Sequence, residues 1–309
     1  MKRINNLYQK ITTLENLELS DKKARKGKNV CGVTDIKAIQ KMLLDKTFTT
    51  SNYSTFKIYE PKERLVYRLP YFPDRVVHHA IMNILEPVFV AMFTKDSYSC
   101  IKGKGVHAAA NAVRLALKNK DLTRYCLKLD IKKFYPTIDH AILKQLLSRK
   151  IKDNDLLWLM GNLIDSADGL PIGNYLSQYF ANFYLTYFDH WIKEKIKVKH
   201  YFRYADDIVI LSDSKEYLHT ILAEIKNYLS ENLKLTVKEN YQIFPVEKRG
   251  IDFVGYVFYH THTKIRKSIK QNFARMLVSR KNPASIASYN GWLKHCNCRN
   301  LQRKLLKIA

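Results

Sequence analysis

The spacing of apolar positions predicts a series of amphipathic helices along this chain. Between Val76 and Met92, apolar residues recur every three to four positions, which is the period of one helix face, and Pro87 is expected to kink this helix. The same spacing predicts helices over Ile4–Leu19, 35–45, 108–118, 140–150, 155–165, 176–196 and 217–233. Asp139 is placed to cap the helix that begins at 140, and the lysine-rich stretch 20–30 is predicted to be a mobile loop.

Short apolar stretches rich in β-branched and aromatic residues predict strands between these helices. Single strands are expected within 47–61, 124–131 and 234–239, and hairpins over 200–212 and 251–266. The first hairpin carries Ala205, Asp206 and Asp207 at its tip. A basic helical tail follows the second hairpin, with a break at Asn297 and Cys298. This mixture of helices and hairpins predicts an α+β fold.

Composition and charge limit the classes of function. The 309 residues are 46% hydrophobic, enough for a substantial core, and Lys and Arg number 53 against 28 Asp and Glu, a net charge of +25. Because basic residues recur in every segment, a polyanion such as nucleic acid is the expected partner rather than a membrane. No window approaches the about 18 apolar residues of a membrane span. Five cysteines without a framework pattern, and a start that does not resemble a secretory signal, predict a reducing, cytoplasmic location.

Three aspartates are the candidate catalytic residues. Asp130 ends an apolar strand, and Asp206 and Asp207 lie at a hairpin tip. Carboxylates that share a low-dielectric site repel each other unless a cation is present, and two divalent ions about 3.5–4 Å apart would remove this repulsion. Such a pair of ions catalyses in-line phosphoryl transfer. An Asp-Asp pair in a hairpin can also simply favour the turn, so the surrounding motifs must decide between a structural and a catalytic role.

The context resembles the reverse transcriptase family. LDIKKFY, IGNYLSQ, YADD, KLTVKE and GIDFVGY resemble its five palm motifs in order and spacing, and PKERLVYRLPYFPDRVVHHAI resembles its fingers segments. The resemblance covers about residues 60–267. It implies a right-hand polymerase with an N-terminal extension and fingers over 1–122, a ferredoxin-like palm over 123–263 and a short, basic helical thumb over 264–309. Fingers elements of the second motif region are expected to interleave at about 150–175.

The resemblance also implies roles for the acidic residues and their metal ions. Asp130 and Asp206 would be the principal ligands of two Mg²⁺ ions, for which Mn²⁺ could substitute. The carbonyl of Ile131 would assist, and Asp207 would be the adjacent acid. Lys238 or a neighbouring cation would donate a proton to the pyrophosphate.

Further residues are implied to bind the incoming nucleotide. Tyr135 falls where the family places an aromatic steric gate against a ribonucleotide. Lys62 and Arg64 resemble the residues that hold the triphosphate, and the sequence leaves Arg68 and Arg75 open as alternatives.

The second palm motif departs from the common family pattern. Most reverse transcriptases have Gln-Gly followed by Ser-Pro, whereas this chain has Ile172-Gly173 followed by Ser177-Gln178. The substituted pattern resembles the reverse transcriptases of diversity-generating retroelements. These copy a template-repeat RNA into cDNA and misincorporate opposite adenine. Ile172 offers only an apolar surface where Gln could hydrogen bond, so we expect it to weaken checking of the nascent pair. Gly173 is expected to allow close backbone approach to that pair.

This branch implies partners for the chain. They are a structured template-repeat RNA, which could supply its own primer, the nascent cDNA, dNTPs and a small basic accessory variability protein that forms an oligomer. Two alternatives remain: another bacterial reverse transcriptase, from a group II intron or a retron, and a non-catalytic RNA-binding scaffold with a polymerase-like fold. The intact acidic positions favour an enzyme over the scaffold.

Overall fold

The computed structural model describes residues 3–30, 32–59, 63–279 and 282–308, without the side chains of 302 and 306–308. The chain forms two compact units, each assembled from separate parts of the sequence. The first unit consists of Met1–Phe93, Lys133–Phe188 and Ser230–Leu235, and the second of Thr94–Lys132, Asp189–Leu229 and Thr236–Ala309. None of the helices in the described ranges combines the length and apolarity that a bilayer crossing requires.

The secondary structure in the described ranges consists of helices of 4 to 19 residues and nine short strands. The helices are α1 Tyr8–Ile11, α2 Leu14–Arg25, α3 Ile36–Leu44, α4 Val76–Met92, α5 Val106–Ala116, α6 Phe134–Thr137, α7 His140–Lys150, α8 Asn154–Ile164, α9 Tyr175–Tyr184, α10 Thr186–His190, α11 Lys215–Leu233, α12 Val246–Arg249, α13 Lys267–Ser279, α14 Pro283–Leu293 and α15 Arg299–Ile308. The strands are β1 Ser54–Tyr59, β2 Glu63–Arg68, β3 Tyr125–Asp130, β4 His200–Tyr204, β5 Asp207–Ser212, β6 Gln242–Pro245, β7 Ile251–Phe253, β8 Tyr256–Phe258 and β9 Thr263–Ile265.

The first unit packs helices around α4 and carries the antiparallel hairpin β1–β2. Helix α4 is buried along the predicted apolar face and runs unbroken through Pro87. Asp139 caps α7, as predicted, by accepting a hydrogen bond from the Ile142 N–H. The predicted basic loop is wrong over its first part, because α2 continues to Arg25. Lysines and arginine at the end of a helix are favoured there by the helix dipole.

The second unit contains an antiparallel sheet with the strand order β4-β5-β3-β6. In chain order the elements are β3, the helices α6 to α10, the hairpin β4–β5, helix α11 and β6. This order is the β-α-β-β-α-β pattern of ferredoxin-like folds. One face of this sheet packs against α5 and against the second sheet, β7-β8-β9, around Val209, Phe253 and Tyr256. Cys126 of β3 and Leu211 of β5 belong to the same core, so this packing holds the two strands that carry Asp130 and Asp207.

Three sequence predictions in this region need correction. The strand expected at 234–239 is reduced to a single bridge between Val237 and Ile131, and the strand that pairs with β3 on the side opposite β5 is β6. The second hairpin is a three-stranded meander, because β9 adds to β8. The long helix predicted over 176–196 is divided into α9, α10 and a π-helical turn at Trp191–Lys195. The predicted break near Cys298 is confirmed, since α15 begins at Arg299.

Candidate active site

Two carboxylates from neighbouring strands lie side by side at one end of the four-stranded sheet. Asp130 is the last residue of β3 and Asp207 is the first residue of β5, and the antiparallel register places them directly opposite each other. Opposed residues of an antiparallel pair share one face, with Cβ atoms about 4.5–5.5 Å apart. Because the neighbouring positions of both strands are apolar and buried, the register cannot slip without burying these charges.

A two-residue turn between β4 and β5 supplies the third carboxylate. Tyr204 pairs with Asp207 across the base of this turn, so Asp207 belongs to the strand and not, as predicted, to the hairpin tip. Ala205 has a φ of +55°, in the left-handed region. The backbone carbonyl of Asp206 accepts a hydrogen bond from the N–H of Ile131 at 3.3 Å. Asp206 and Ile131 are thereby held at the same end of the sheet as Asp130.

Burial and mutual repulsion oppose simultaneous ionisation of these carboxylates. The pKa of Asp206 is raised first by burial and then by the Asp130 carboxylate. Burial raises the pKa of Asp207 to about 7, although the Lys128 ammonium acts in the opposite direction. Oδ1 of Asp207 is buried and has no hydrogen-bond partner among the described residues. The cluster is therefore one that an added cation would stabilise.

Two lysines partly compensate the negative charge. The ammonium of Lys238 forms an ion pair with Oδ1 of Asp130, and its backbone N–H donates to the Asp130 carbonyl at 2.8 Å. The ammonium of Lys128 lies 3.9 Å from Oδ2 of Asp207 and donates to the backbone carbonyl of Asp252. Sequence reasoning missed Lys128, although strand alternation places it on the same face as Asp130, two residues away.

The donor set of this cluster suits a hard divalent cation. Asp130, Asp206 and Asp207 offer carboxylate oxygens, the ligands that Mg²⁺ prefers, and the unpartnered Oδ1 of Asp207 is one such oxygen. Across the described residues, no three His, Cys, Asp or Glu side chains are already grouped around one ion position. Bound ions would neutralise the carboxylates and activate a hydroxyl for attack on a phosphate.

A second candidate region lies within the first unit, where a cavity of about 570 Å³ is lined by basic, polar and apolar side chains. Gly173 and Gln178, both predicted to bind the nucleotide, line this cavity. Its other lining residues are Lys28, Phe56, Val66, Tyr67, Arg68, Leu69, Arg75, His78, His79, Asn174 and Tyr175. The cavity thus contains both cations that the sequence left open as triphosphate ligands, and it adds Lys28, which the sequence did not single out.

The segment Ile172-Gly173 is bound to strand β2 by its backbone. The N–H of Tyr67 donates to the carbonyl of Ile172 at 2.7 Å. Gly173 has a φ of +115°, and a Cβ at this position would lie 2.5 Å from the Tyr67 carbonyl oxygen. Only glycine satisfies both requirements, so close packing against the backbone of β2 accounts for Gly173 here. The expected approach of Gly173 to the nascent pair stays a prediction.

Two further predicted nucleotide ligands, Tyr135 and Arg64, are not among the lining residues of this cavity. The Tyr135 carbonyl accepts a hydrogen bond from the Leu170 N–H at 2.9 Å, and its ring packs edge-on against Phe134. Arg64 is an exposed residue of β2, paired with Ile58. Lys62 lies outside the described residues.

Comparison with known proteins identifies the family. Residues 55–258, more than half of the chain, match the family model described as reverse transcriptase (RNA-dependent DNA polymerase). The chain belongs to the reverse transcriptase family. The match includes β3, the β4–β5 hairpin and therefore all three aspartates.

Several known proteins are similar to this reverse transcriptase. Protein YkfC of Escherichia coli (strain K12) is 24% identical over 291 residues, which cover 78% of this chain and 75% of YkfC. The group II intron-encoded protein LtrA of Lactococcus lactis subsp. cremoris is 22% identical over 261 residues, which cover 61% of this chain and 43% of LtrA. The apo telomerase structure from Candida tropicalis matches with a TM-score of 0.53 at 13% identity, over 85% of this chain and 57% of the telomerase chain.

These comparisons confirm the predicted fold class, an α+β right-hand polymerase fold with antiparallel sheets. The predicted site residues of this reverse transcriptase form two groups. The second unit brings together Asp130, Ile131, Asp206, Asp207 and Lys238. The first unit brings Gly173 and Gln178 to one cavity, with Ile172 next to them in the chain. The boundaries of fingers, palm and thumb, and the role of each site residue, stay predictions.

Proposed function

We propose that this reverse transcriptase is the RNA-directed DNA polymerase of a diversity-generating retroelement. It copies a template-repeat RNA into cDNA by two-metal phosphoryl transfer, with low fidelity opposite adenine. The observation that carries the polymerase part is the register of β3 and β5, which sets Asp130 opposite Asp207, next to the turn that holds Asp206.

In this proposal the acidic cluster holds two Mg²⁺ ions, or Mn²⁺ in their place. Asp130, Asp206 and Asp207 provide the carboxylates, with the Ile131 carbonyl as a further oxygen ligand. The cavity in the first unit accepts the dNTP or the templating nucleotide, because its arginines suit phosphate oxygens. Tyr135 excludes ribonucleotides, and Lys62 and Arg64 contribute to triphosphate binding.

The assignment to the retroelement branch depends on Ile172. Its backbone is hydrogen bonded to Tyr67, a residue that lines the cavity, and its half-buried apolar side chain stands where most family members have Gln. An apolar side chain cannot satisfy polar groups of a nascent base pair, so discrimination between pairs falls. The proposed partners are a structured template-repeat RNA, the nascent cDNA and an oligomeric basic accessory protein. The net charge of +25 supports a large RNA partner.

A primer-extension assay tests the polymerase. With an RNA template, a DNA primer, dNTPs and Mg²⁺, the unmodified chain is expected to synthesise cDNA, and Asp206→Asn to reduce the rate by about 10³-fold or more. Asp206→Asn activity within a few-fold of the unmodified chain would refute the catalytic role of the cluster. Absence of synthesis by the unmodified chain, with and without the template-repeat RNA and accessory protein, would favour the non-catalytic scaffold.

Sequencing of the cDNA tests the branch. We expect errors opposite template adenine to exceed errors opposite G, C and U, which serve as the internal control. Ile172→Gln is expected to lower the adenine errors, whereas Ile172→Val is expected to preserve them. Equal adenine error rates for all three proteins would refute the role of Ile172.

A group II intron or retron reverse transcriptase is the second candidate. The similarity to the group II intron-encoded protein LtrA favours it. It predicts uniform error rates over the four template bases, together with preferential binding of an intron or retron RNA over a template-repeat RNA. Parallel filter-binding measurements with these RNAs distinguish the two candidates.

A further inference from the structure

A fully buried ion pair in the second unit contacts the catalytic turn, the two-residue turn Ala205-Asp206 between β4 and β5. The side chains of Arg203, in β4, and Asp189, in α10, are both 0% exposed. Arg203 donates from Nε to Oδ1 of Asp189 at 2.7 Å and from Nη2 to Oδ2 at 2.5 Å. This is the bidentate geometry in which an arginine fork matches a carboxylate.

The carboxylate of Asp189 is satisfied from further directions. The Tyr201 hydroxyl donates to Oδ1 at 2.6 Å and the Ser97 hydroxyl donates to Oδ2 at 2.8 Å. Ser97 also accepts a hydrogen bond from Nη2 of Arg203 at 3.1 Å. A network in which each buried polar group has partners is rigid, because any movement leaves one of them unsatisfied.

The same guanidinium reaches the catalytic turn. Nη1 of Arg203 donates to the carbonyl oxygen of Ala205 at 3.0 Å. Ala205 is the left-handed residue of the turn, and Asp206 follows it immediately. The turn thus has two hydrogen-bonded anchors: Arg203 on the Ala205 carbonyl and the Ile131 N–H on the Asp206 carbonyl.

The backbone of Arg203 is fixed as well. Its N–H donates to the Asp96 carbonyl and its carbonyl accepts from the Tyr98 N–H, both at 3.0 Å. The loop that contains Asp96 and Tyr98 is itself held in place. The Lys104 ammonium donates to three of its carbonyls, those of Thr94, Lys95 and Ser97. Hydrogen bonds to residues outside the turn therefore fix both the main chain and the side chain of Arg203.

We propose that Arg203 is a positioning residue, which transmits the rigidity of the Asp189 network to the Ala205 carbonyl and so sets where the Asp206 carboxylate stands. A buried ion pair by itself contributes little to stability, since well-packed apolar residues often replace it without loss. The pair is of use here because Nη1 of its arginine donates to the Ala205 carbonyl in the turn. The inference rests on the proposed polymerase function.

Arg203→Lys is the central test. A lysine ammonium can still pair with Asp189, but it has no planar fork with which to reach the Ala205 carbonyl as well. We expect a kcat about tenfold to 100-fold lower, with the dissociation constant of the RNA–DNA duplex unchanged within about threefold. We also expect weaker Mn²⁺ binding, measured by electron paramagnetic resonance without primer or dNTPs. Arg25→Lys, at the partly exposed Arg25–Asp21 pair of α2, is the matched control and should change none of these.

A second variant keeps the test decisive if Arg203→Lys fails to fold. The double variant Asp189→Leu with Arg203→Met removes both charges and leaves no guanidinium, so it should fold but lose the anchor on Ala205. Thermal unfolding near that of the unmodified chain, with lowered kcat and weakened Mn²⁺ binding, supports the inference. Unchanged kcat and Mn²⁺ binding in whichever variant folds overturns it. The Mn²⁺ measurement needs no synthesis, so it separates failure of this inference from failure of the proposed polymerase function.

Discussion

Lys238 holds Asp130 by two separate contacts. Its backbone N–H donates to the Asp130 carbonyl at 2.8 Å, and its ammonium pairs with Oδ1 of the carboxylate. The backbone contact keeps the ammonium beside a carboxylate that the proposed mechanism assigns to a metal ion. In the proposed mechanism a divalent cation would compete with Lys238 for Asp130, and the displaced ammonium would be available to donate a proton to the pyrophosphate.

This competition predicts opposite effects on metal binding and on rate. Lys238→Gln removes the competing charge, so Mn²⁺ should bind severalfold more tightly, whereas kcat for primer extension should fall about tenfold or more because the proton donor is lost. Electron paramagnetic resonance and single-turnover kinetics measure the two quantities. Lys234→Gln, which affects the exposed ion pair with Asp139, is the control. Weaker Mn²⁺ binding by Lys238→Gln would contradict the prediction.

The raised pKa of Asp207 predicts that this carboxylate lowers the stability of the fold while the proposed catalysis requires it. Its pKa of about 7 lies above the usual value of 3.8, so the folded state binds more protons than the unfolded state between these values. Without divalent ions, the contribution of this carboxyl to stability should fall as the pH rises from about 4 to about 7. Asp207→Asn should flatten this slope, raise the midpoint of urea unfolding at pH 8 and lower kcat about 100-fold. Substitution of the exposed Asp213 by Asn should change none of these three quantities, and a steep slope remaining in Asp207→Asn would exclude this carboxylate as the cause.

Substitution of Gly173 should be far more harmful than that of an ordinary glycine. In Gly173→Ala the new Cβ would meet the Tyr67 carbonyl at 2.5 Å with φ at +115°, so the segment must move away from β2. We expect a KM for dNTPs at least about tenfold higher, together with lower thermal stability. Gly161→Ala, within α8 and with only Lys144 Cε at 3.9 Å, should be neutral or stabilising. Equal behaviour of the two variants would refute the packing argument.

The arginines of β2 should differ in their effect on nucleotide binding. Arg68 lines the cavity of the first unit, whereas Arg64 does not. Arg68→Gln is therefore expected to raise the KM for dNTPs about tenfold, and Arg64→Gln to raise it less. Steady-state kinetics on one template, with duplex affinity measured in parallel, compares them directly. A larger effect of Arg64→Gln would place the triphosphate at the exposed end of the hairpin.

Buried His78 predicts a loss of stability in acid. Burial lowers its pKa from 6.5 to about 3, and its Nε2 has no hydrogen-bond partner in the described part of the chain. Between these values the unfolded state binds the extra proton, so the contribution of His78 to stability is full above pH 6.5 and is lost as the pH falls toward 3. His78→Leu should reduce this dependence, measured by urea unfolding at pH 7 and pH 5, and the exposed His219→Leu should not. An unchanged slope in His78→Leu would exclude this histidine.

Local patterns in the sequence determined much of the molecule. The 3.6-residue period located α4, and the cap residue Asp139 located the start of α7. Strand signals around LKLD and YADD located β3, β4 and β5. Such features depend on interactions between residues a few positions apart, so they can be predicted from the sequence alone.

Pairing and burial over long distances were decided only by the tertiary structure. The short segment Gln242–Pro245 gives no strand period, yet it pairs with β3, while the better strand pattern at 234–239 makes one bridge. The cations Lys28 and Arg75 reach one cavity from distant parts of the chain. Arg203 would be assigned to the protein surface by its charge, and its burial follows from partners at Asp189, Ser97 and Tyr201. The free energy of such contacts comes from interactions between segments that are far apart in the sequence. Local sequence patterns therefore do not predict these contacts.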